Sequence, residues 1–276
     1  MRRNMWRVFR QYSGFLAVLA LAGCTRAGVV RSVQGEIEAG RATPVSIAPP
    51  LASVPVGERL EYAISWWGVA VGTASLTTSQ SKNHLIQLSF KADSNWYLAT
   101  FYPVHVKLNS WLDPKTVSPR RSESYLKRQW RLHQSVITFD PEKGTSLHEL
   151  PGKKKVTVAV TPTTQDGLSM IYYARTIPLQ LGKTVPLTIS ADGKNWDLNG
   201  TVLQAGIVRI GSAGYWPALE GQVELAYPVP FFHGAQARVW FSADSDRIPL
   251  LAKINSRIGP VSVVLTRRTV VPAKSK

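Results

Sequence analysis

The feature that most constrains this chain is an alternation of apolar with polar or small residues. It starts just after Gly57 and recurs along the rest of the sequence. In the first stretch, every second residue from Leu60 to Trp66 is large and apolar. A period of two residues is typical of a β-strand that buries one face. Similar stretches follow at residues 85–90, 104–111, 125–131, 134–140, 156–160, 184–190, 197–205, 207–210, 221–227, 237–243, 250–256 and 261–267.

Turn signals separate these stretches at short intervals. Asp192-Gly193 lies between two of them, residues 244–247 between another two, and Gly259-Pro260 between the last two. About a dozen short strands joined by such turns predict a mainly β fold, either an antiparallel β-barrel or a half-barrel formed by a curved sheet. Because 44% of the residues are hydrophobic, this fold can bury a substantial core.

One segment near the middle of the chain departs from the alternation. Its apolar and charged residues follow helical spacing at Leu168, Ile171, Tyr172 and Arg175. Asp166 is suited to cap the first turn of a helix, and Pro178 is suited to end it. The sequence therefore predicts a single short helix over residues 166–175.

The N-terminal segment resembles the signal peptide of bacterial lipoproteins. Four arginines precede a short apolar run at residues 14–23, which is too short to span a bilayer, since spanning takes about 20 apolar residues. The run ends in Leu21, Ala22, Gly23 and Cys24, which resemble a lipobox. This resemblance implies cleavage before Cys24, acylation of that cysteine and anchoring in a membrane. The alternative is an uncleaved membrane anchor that happens to contain a cysteine.

The residue after Cys24 bears on localisation. Thr25 is not an aspartate, and by resemblance to lipoprotein sorting in Gram-negative bacteria this favours the outer membrane, with the protein facing the periplasm. Residues 24–55 contain several prolines and no clear period, as expected for a flexible tether. We expect a single β-rich domain over residues 56–271 and a basic tail over residues 272–276.

Three segments carry a resemblance to a known family. They are VGERLEY with SWWGVAVGTA at residues 56–74, DGLSMIYYAR at 166–175, and VWFSADSDRIP at 239–249. In this order and spacing they resemble the bacterial exported proteins grouped as domain of unknown function 3108, over residues 55–268. The resemblance implies a β-rich domain outside the cytoplasm, without an established activity or catalytic residues. The architecture is also similar to that of periplasmic lipoprotein carriers, whose half-barrels hold acyl chains.

Motifs for catalysis or metal binding are missing from the sequence. The five histidines show no spacing typical of zinc ligands: His84, His105, His133, His148 and His233. There is no Gly-x-Ser-x-Gly nucleophile motif and no glycine-rich phosphate loop. We therefore expect a protein that is not an enzyme and needs no metal or cofactor. An envelope hydrolase is the least favoured hypothesis.

The first hypothesis is a binding module for a lipid-like or amphipathic envelope ligand. The chain has nine tryptophans, and the predicted helix could cover part of a concave sheet. The candidate ligand-binding residues are Trp66, Tyr172, Arg175 and Trp240. Arg175 could hold an anionic head group, or it could pair with an acid in the interior.

The second hypothesis is an interaction protein of the envelope that uses a basic surface. The net charge of +16 favours anionic partners. Its candidate residues, which surround Tyr125 and Trp130, are Arg120, Arg121, Arg128 and Arg131. An exported protein meets little nucleic acid, so the expected partners are anionic lipid, an anionic envelope polymer or an acidic protein. A plain solvated face is the alternative.

Overall fold

The computed structural model describes residues 45–81, 83–211, 214–225, 235–256 and 259–271. The described part holds fourteen strands: β1 Glu58–Trp66, β2 Val69–Gln80, β3 Ile86–Ser94, β4 Val104–Leu112, β5 Pro119–Arg128, β6 Arg131–Asp140, β7 Thr145–Glu149, β8 Val156–Ala159, β9 Thr184–Ala191, β10 Lys194–Ile210, β11 Gly214–Leu225, β12 Ala235–Ser242, β13 Pro249–Ser256 and β14 Gly259–Val270. It also holds two helices, α1 Trp96–Phe101 and α2 Ser169–Thr176.

All fourteen strands belong to one antiparallel sheet. Their order is β8-β7-β6-β5-β4-β3-β2-β1-β14-β13-β12-β11-β10-β9. Strands that follow one another in sequence are neighbours, with the exception of β8 and β9, and the first and last strands pair with each other at the centre, where Tyr62 lies opposite Leu265. The predicted alternation thus corresponds to a long meander. Because β1 and β14 pair at the centre of the sheet, β8 and β9 are its edge strands.

Side chains and backbone groups of the two edge regions meet and nearly close the sheet into a barrel. Gln165 forms an isolated parallel bridge with Ile189 of β9. The Asn195 side chain donates to the carbonyl of Ala159, at the end of β8, over 2.7 Å. The predicted fold, a mainly β antiparallel barrel, is therefore confirmed. We call this junction of β7 and β8 with β9 and β10 the seam.

The core lies between the sheet and α2. Leu60, Leu88 and Leu112 come from three different strands, and they join Leu168 and Tyr172 in one buried cluster. Each of these side chains is at most 3% exposed, and burial of such apolar surface is the main favourable contribution to folding. The cluster fixes α2 against the core face of the sheet.

The predicted middle helix is present as α2, three residues shorter at its start than predicted. Asp166 still acts at this end, because its carboxylate accepts the N–H groups of Leu168 and Ser169. The prediction of a single helix was incomplete, because the structure has α1 as well. At six residues, α1 is too short to show a helical period in the sequence.

A second difference concerns the expected strand over residues 125–131. Strand β5 ends at Arg128 and β6 starts at Arg131, so the prediction of a continuous strand was wrong. Gln129 adopts a positive φ of 48°, which allows a tight hairpin turn. Trp130 therefore lies at the tip of a hairpin and does not face one side of a strand.

The segment before β1 lies against the domain. The N–H of Ala48 donates to the carbonyl of Ala243, and that of Leu51 to the carbonyl of Arg175. Val54 is buried in the core cluster. The part of the expected tether from residue 45 onward therefore contacts the barrel. The expected signal peptide, the lipobox with Cys24, and the basic tail lie outside the described residues. Neither helix found among the described residues is long or apolar enough to cross a bilayer.

Candidate functional site

A buried ion pair joins α2 to the sheet. Arg175 donates from Nη1 and Nη2 to the two carboxylate oxygens of Glu58 in β1, over 2.6 and 3.0 Å. Tyr172, one helical turn earlier, donates its hydroxyl to the same carboxylate over 3.0 Å. Both side chains of the pair are fully buried. Bidentate arginine–carboxylate pairs of this kind are among the strongest charge-assisted hydrogen bonds in proteins.

Two further groups extend this pair toward the surface. Arg268 of β14 donates to Glu58 over 3.1 Å and to the carboxylate of Asp246 over 2.6 Å. Arg175 also donates from Nε to the carbonyl of Asp246 over 3.0 Å. The network therefore joins β1, α2, β14 and the turn between β12 and β13. We call Glu58, Tyr172, Arg175, Asp246 and Arg268 the buried ion network.

Burial and pairing set the protonation states of Tyr172 and Arg175. Burial raises the pKa of Tyr172 well above its usual value, and the nearby Glu58 carboxylate raises it further. Burial opposes the charge of Arg175, but the hydrogen-bonded carboxylate of Glu58 and the nearby tyrosines outweigh it and raise its pKa. Tyr172 is thus a neutral donor and Arg175 a fixed cation. Neither is suited to transfer protons near neutral pH.

These contacts bear on the four candidate ligand-binding residues. Tyr172 and Arg175 are fully buried and already paired inside the protein. Trp240 is 3% exposed and belongs to the same core cluster as Tyr172. Trp66 is half-buried at the end of β1, opposite Val69 and Val261. Two roles were considered for Arg175, and in the structure it pairs with an interior acid, Glu58.

A second buried polar cluster lies at the seam. The His148 Nε2 atom is 3.0 Å from the hydroxyl of Ser146 and 3.1 Å from that of Ser190. The backbone N–H of Gly193 donates to His148 Nδ1 over 3.1 Å. Nδ1 therefore carries the lone pair, and Nε2 carries the proton and donates to the serines. A serine nucleophile needs an imidazole nitrogen that accepts its proton, so this arrangement is not suited to nucleophilic catalysis.

A groove lies on the face of the sheet opposite the core. Lys107 and Asn109 alternate along β4 with Val106 and Leu108, which pack against the core. The groove has a volume of about 650 Å³, within the usual range of about 300–1,000 Å³ for small-molecule sites. Its floor crosses β4, β5 and β6, and its wall is the turn after β7. We call it the outer groove, defined by Lys107, Tyr125, Val136, Leu150 and Lys153.

The charges around the outer groove are unevenly paired. Two glutamates line it, and each already has a partner: Glu149 pairs with Lys155, and Glu123 with Arg121. Lys107 lies directly opposite Lys91 of β3. Among the described residues, Lys91, Lys107 and Lys153 make no ion pair. Like charges opposite each other in a sheet cost stability, so the side of the groove at Lys107 is suited to an anion.

The apolar part of the outer groove lies beside the lysines. Tyr125 is the direct cross-strand neighbour of Lys107, and Gln134 is the next residue in the same row. Val136 on the floor and Leu150 and Pro151 on the wall complete the apolar lining. Sequence reasoning missed this site because its residues are up to 48 positions apart and come together only through strand register.

The four arginines of the expected basic surface do not form one patch. Arg120 and Arg121 lie near the start of β5, where they pair with Asp113 and Glu123. Arg128 and Arg131 lie at its far end, opposite each other across the hairpin. Strand rise places the two pairs about 25 Å apart.

The described residues contain no group of three metal-ligating side chains. Fold and site together define a class of protein: an antiparallel, barrel-like sheet with a helix held on its core face by a buried ion network and an amphipathic groove on the opposite face.

Comparison with known proteins identifies the family. The family described as "Protein of unknown function (DUF3108)" matches residues 61–266, so the chain belongs to this family and the resemblance seen in the sequence is confirmed. The fold is similar to that of a β-barrel-like protein of domain of unknown function DUF1849 from Brucella abortus. That match has a TM-score of 0.53 and 9% identity, and it covers 82% of this chain and 100% of the other. No curated protein matches the sequence.

Proposed function

We propose that this chain is an envelope lipoprotein that binds an amphipathic anion in the outer groove without transforming it. The observation that carries the proposal is one groove of about 650 Å³ lined both by apolar residues and by two lysines, Lys107 and Lys153, that make no ion pair among the described residues. A carboxylate or phosphate head group would lie between Lys107 and Lys153. An acyl or similar apolar portion would lie against Tyr125, Val136 and Leu150.

The sequence suggested a ligand on the concave side of the sheet, under the helix. The proposed binding surface is instead the outer face of the sheet. The core face near α2 is filled by side chains such as Leu60 and Tyr172, which are fully buried. The outer groove, in contrast, has exposed lysines and half-buried apolar residues. A binding role without catalysis fits the tautomer of His148, which is not suited to activate the adjacent serines.

The membrane anchor is part of the same proposal. Cys24 in its lipobox is the expected acylation site, with delivery to the outer membrane on the periplasmic side. Mass spectrometry of the protein extracted from the envelope should show diacylglycerol and a further acyl chain on Cys24. The Cys24→Ala variant should keep its N-terminal segment and lack these groups. An unmodified Cys24 in the wild-type protein would rule out the lipoprotein assignment and leave the groove to be tested separately.

The groove is tested by binding of an environment-sensitive fluorescent fatty acid to residues 25–276 secreted without the anchor. The wild-type protein should bind the probe saturably. The double variant Lys107→Glu with Lys153→Glu should lose at least about tenfold in affinity, because each lost charged hydrogen bond contributes roughly 1.5–3 kcal/mol.

The matched control is Lys115→Glu with Lys183→Glu, which makes the same change in net charge at exposed lysines outside the groove. It should bind the probe as the wild-type protein does. Equal losses in the two double variants would show that the probe responds only to overall charge. Absence of saturable binding to the wild-type protein would overturn the proposal.

A further inference from the structure

One end of the barrel exposes several large aromatic side chains. Trp96 is 82% exposed on α1, and Trp130 is 80% exposed at the tip of the β5–β6 hairpin. Phe101, Leu132 and Trp67 are also more than half exposed. Large exposed apolar groups that lie together usually mark a surface that contacts a partner or a membrane. We call these five residues the aromatic rim.

Hydrogen bonds show that the elements of the aromatic rim are neighbours. Asn95, which caps α1, donates its side-chain amide to the carbonyl of Ala70 at the start of β2, close to Trp67. At the other end of α1, Gln129 of the β5–β6 turn donates to the carbonyls of Phe101 and Pro103. The β1–β2 turn, α1 and the β5–β6 hairpin therefore form one continuous edge of the barrel.

Packing within the fold does not account for α1. None of its six residues is buried, although three of them, Trp96, Tyr97 and Phe101, have large aromatic side chains. Trp96 and Tyr97 contact each other edge to face, with ring centroids 5.9 Å apart. Their rings thus form an exposed aromatic surface and contribute little to the core.

The charges next to the rim are mostly positive. Lys127 and Arg131 flank the hairpin tip and are exposed, and among the described residues neither makes an ion pair. The acid nearest in the sheet register is Asp93, whose carboxylate lies 2.7 Å from His105. Tryptophan and tyrosine favour the boundary between water and lipid, and lysine and arginine favour anionic head groups.

We propose that the aromatic rim docks on the surface of a bilayer that contains anionic lipid. Trp96, Phe101 and Trp130 would enter the head-group region, and Lys127 and Arg131 would contact lipid phosphates. The rim is a different surface from the outer groove, so this inference does not depend on ligand binding there. The chain from residue 24 to residue 45 can extend over at most about 70 Å, which is enough for an anchored protein to reach the membrane with this edge.

The test uses the full chain, extracted from the envelope of a bacterial host and reconstituted into vesicles of phosphatidylcholine and phosphatidylglycerol. Trp130→Cys provides a thiol for a nitroxide spin label. Glu142→Cys, in the exposed turn at the opposite end of β6, is the matched control. The parent chain, treated in parallel, measures any labelling of Cys24. The readout is the accessibility of each label to lipid-soluble oxygen and to a water-soluble nickel chelate.

The proposal predicts that the label at position 130 has a ratio of oxygen to nickel accessibility several-fold higher than the label at position 142. Combining it with Trp96→Ser and Phe101→Ser should move the label at position 130 toward water. Equal, water-like accessibility at both positions would overturn the proposal. Protection of position 130 from both reagents would indicate a protein contact and would equally overturn it. If Cys24 of the parent chain takes up the spin label, its thiol is free and the lipid anchor is ruled out. The labels at positions 130 and 142 are then compared after the protein is mixed with vesicles.

Discussion

Glu58 holds α2 on the sheet together with the apolar core cluster. Its carboxylate accepts hydrogen bonds from Tyr172, Arg175 and Arg268, and it brings the charge that Arg175 needs in order to be buried. A guanidinium without solvent or a counter-charge is strongly unfavourable in a protein interior. The ion pair therefore helps to specify where the helix lies on the sheet. This role does not require that the pair make a large net contribution to stability.

The first prediction concerns the buried ion network. Glu58→Gln should lower the free energy of unfolding by about 3–5 kcal/mol, because Arg175 then remains buried without a counter-charge. The control is Glu61→Gln on the same strand, which breaks an ion pair with exposed Arg59 and should cost at most about 1 kcal/mol. Urea unfolding measures both variants, and similar small losses would contradict the role given to Glu58.

At the scale of elements, the seam depends on His148. The imidazole accepts the N–H of Gly193 at Nδ1 and donates to Ser146 and Ser190, so it joins β7 to the β9–β10 hairpin. Burial lowers the pKa of His148, an effect that the charge of Asp192 opposes only in part. A protonated imidazole could not accept the Gly193 hydrogen bond. The contact therefore requires the neutral histidine.

The second prediction follows from this pKa. Below the unfolded-state pKa of about 6.5, the unfolded chain binds a proton at His148 that the folded chain resists, so stability falls as pH decreases, by up to about 1.4 kcal/mol per pH unit. Urea unfolding at pH 8 and pH 5 should show a larger loss for the wild-type protein than for His148→Gln. The control His84→Asn, at an exposed histidine, should keep the wild-type loss. An identical loss in wild type and His148→Gln would contradict this account of the seam.

The elements differ in how far the sequence predicts them. Strand alternation and the helical spacing around Tyr172 are local, so both were found from sequence. The helix α1 was missed because six residues span less than two turns. The β5–β6 turn was missed because Gln129 and Trp130 are not typical turn residues, and the positive φ at Gln129 comes from the hairpin itself.

At the scale of the whole molecule, the sequence does not predict which distant residues contact each other. Glu58 and Arg175 are 117 residues apart, and Arg175 alone offered two roles until the register of β1 and the position of α2 were known. The outer groove likewise depends on the register that places Lys107 between Lys91 and Tyr125. These contacts follow from the order of strands in the sheet, which a period of two residues does not encode.

The outer groove is proposed to hold an amphipathic anion. Native mass spectrometry with lipid extraction on residues 25–276, secreted to the periplasm without the anchor, tests it most directly. An amphiphilic molecule should copurify with the wild-type protein and be lost from the double variant Lys107→Glu with Lys153→Glu. A wild-type protein that emerges empty, or a double variant that retains the same molecule, would contradict the claim.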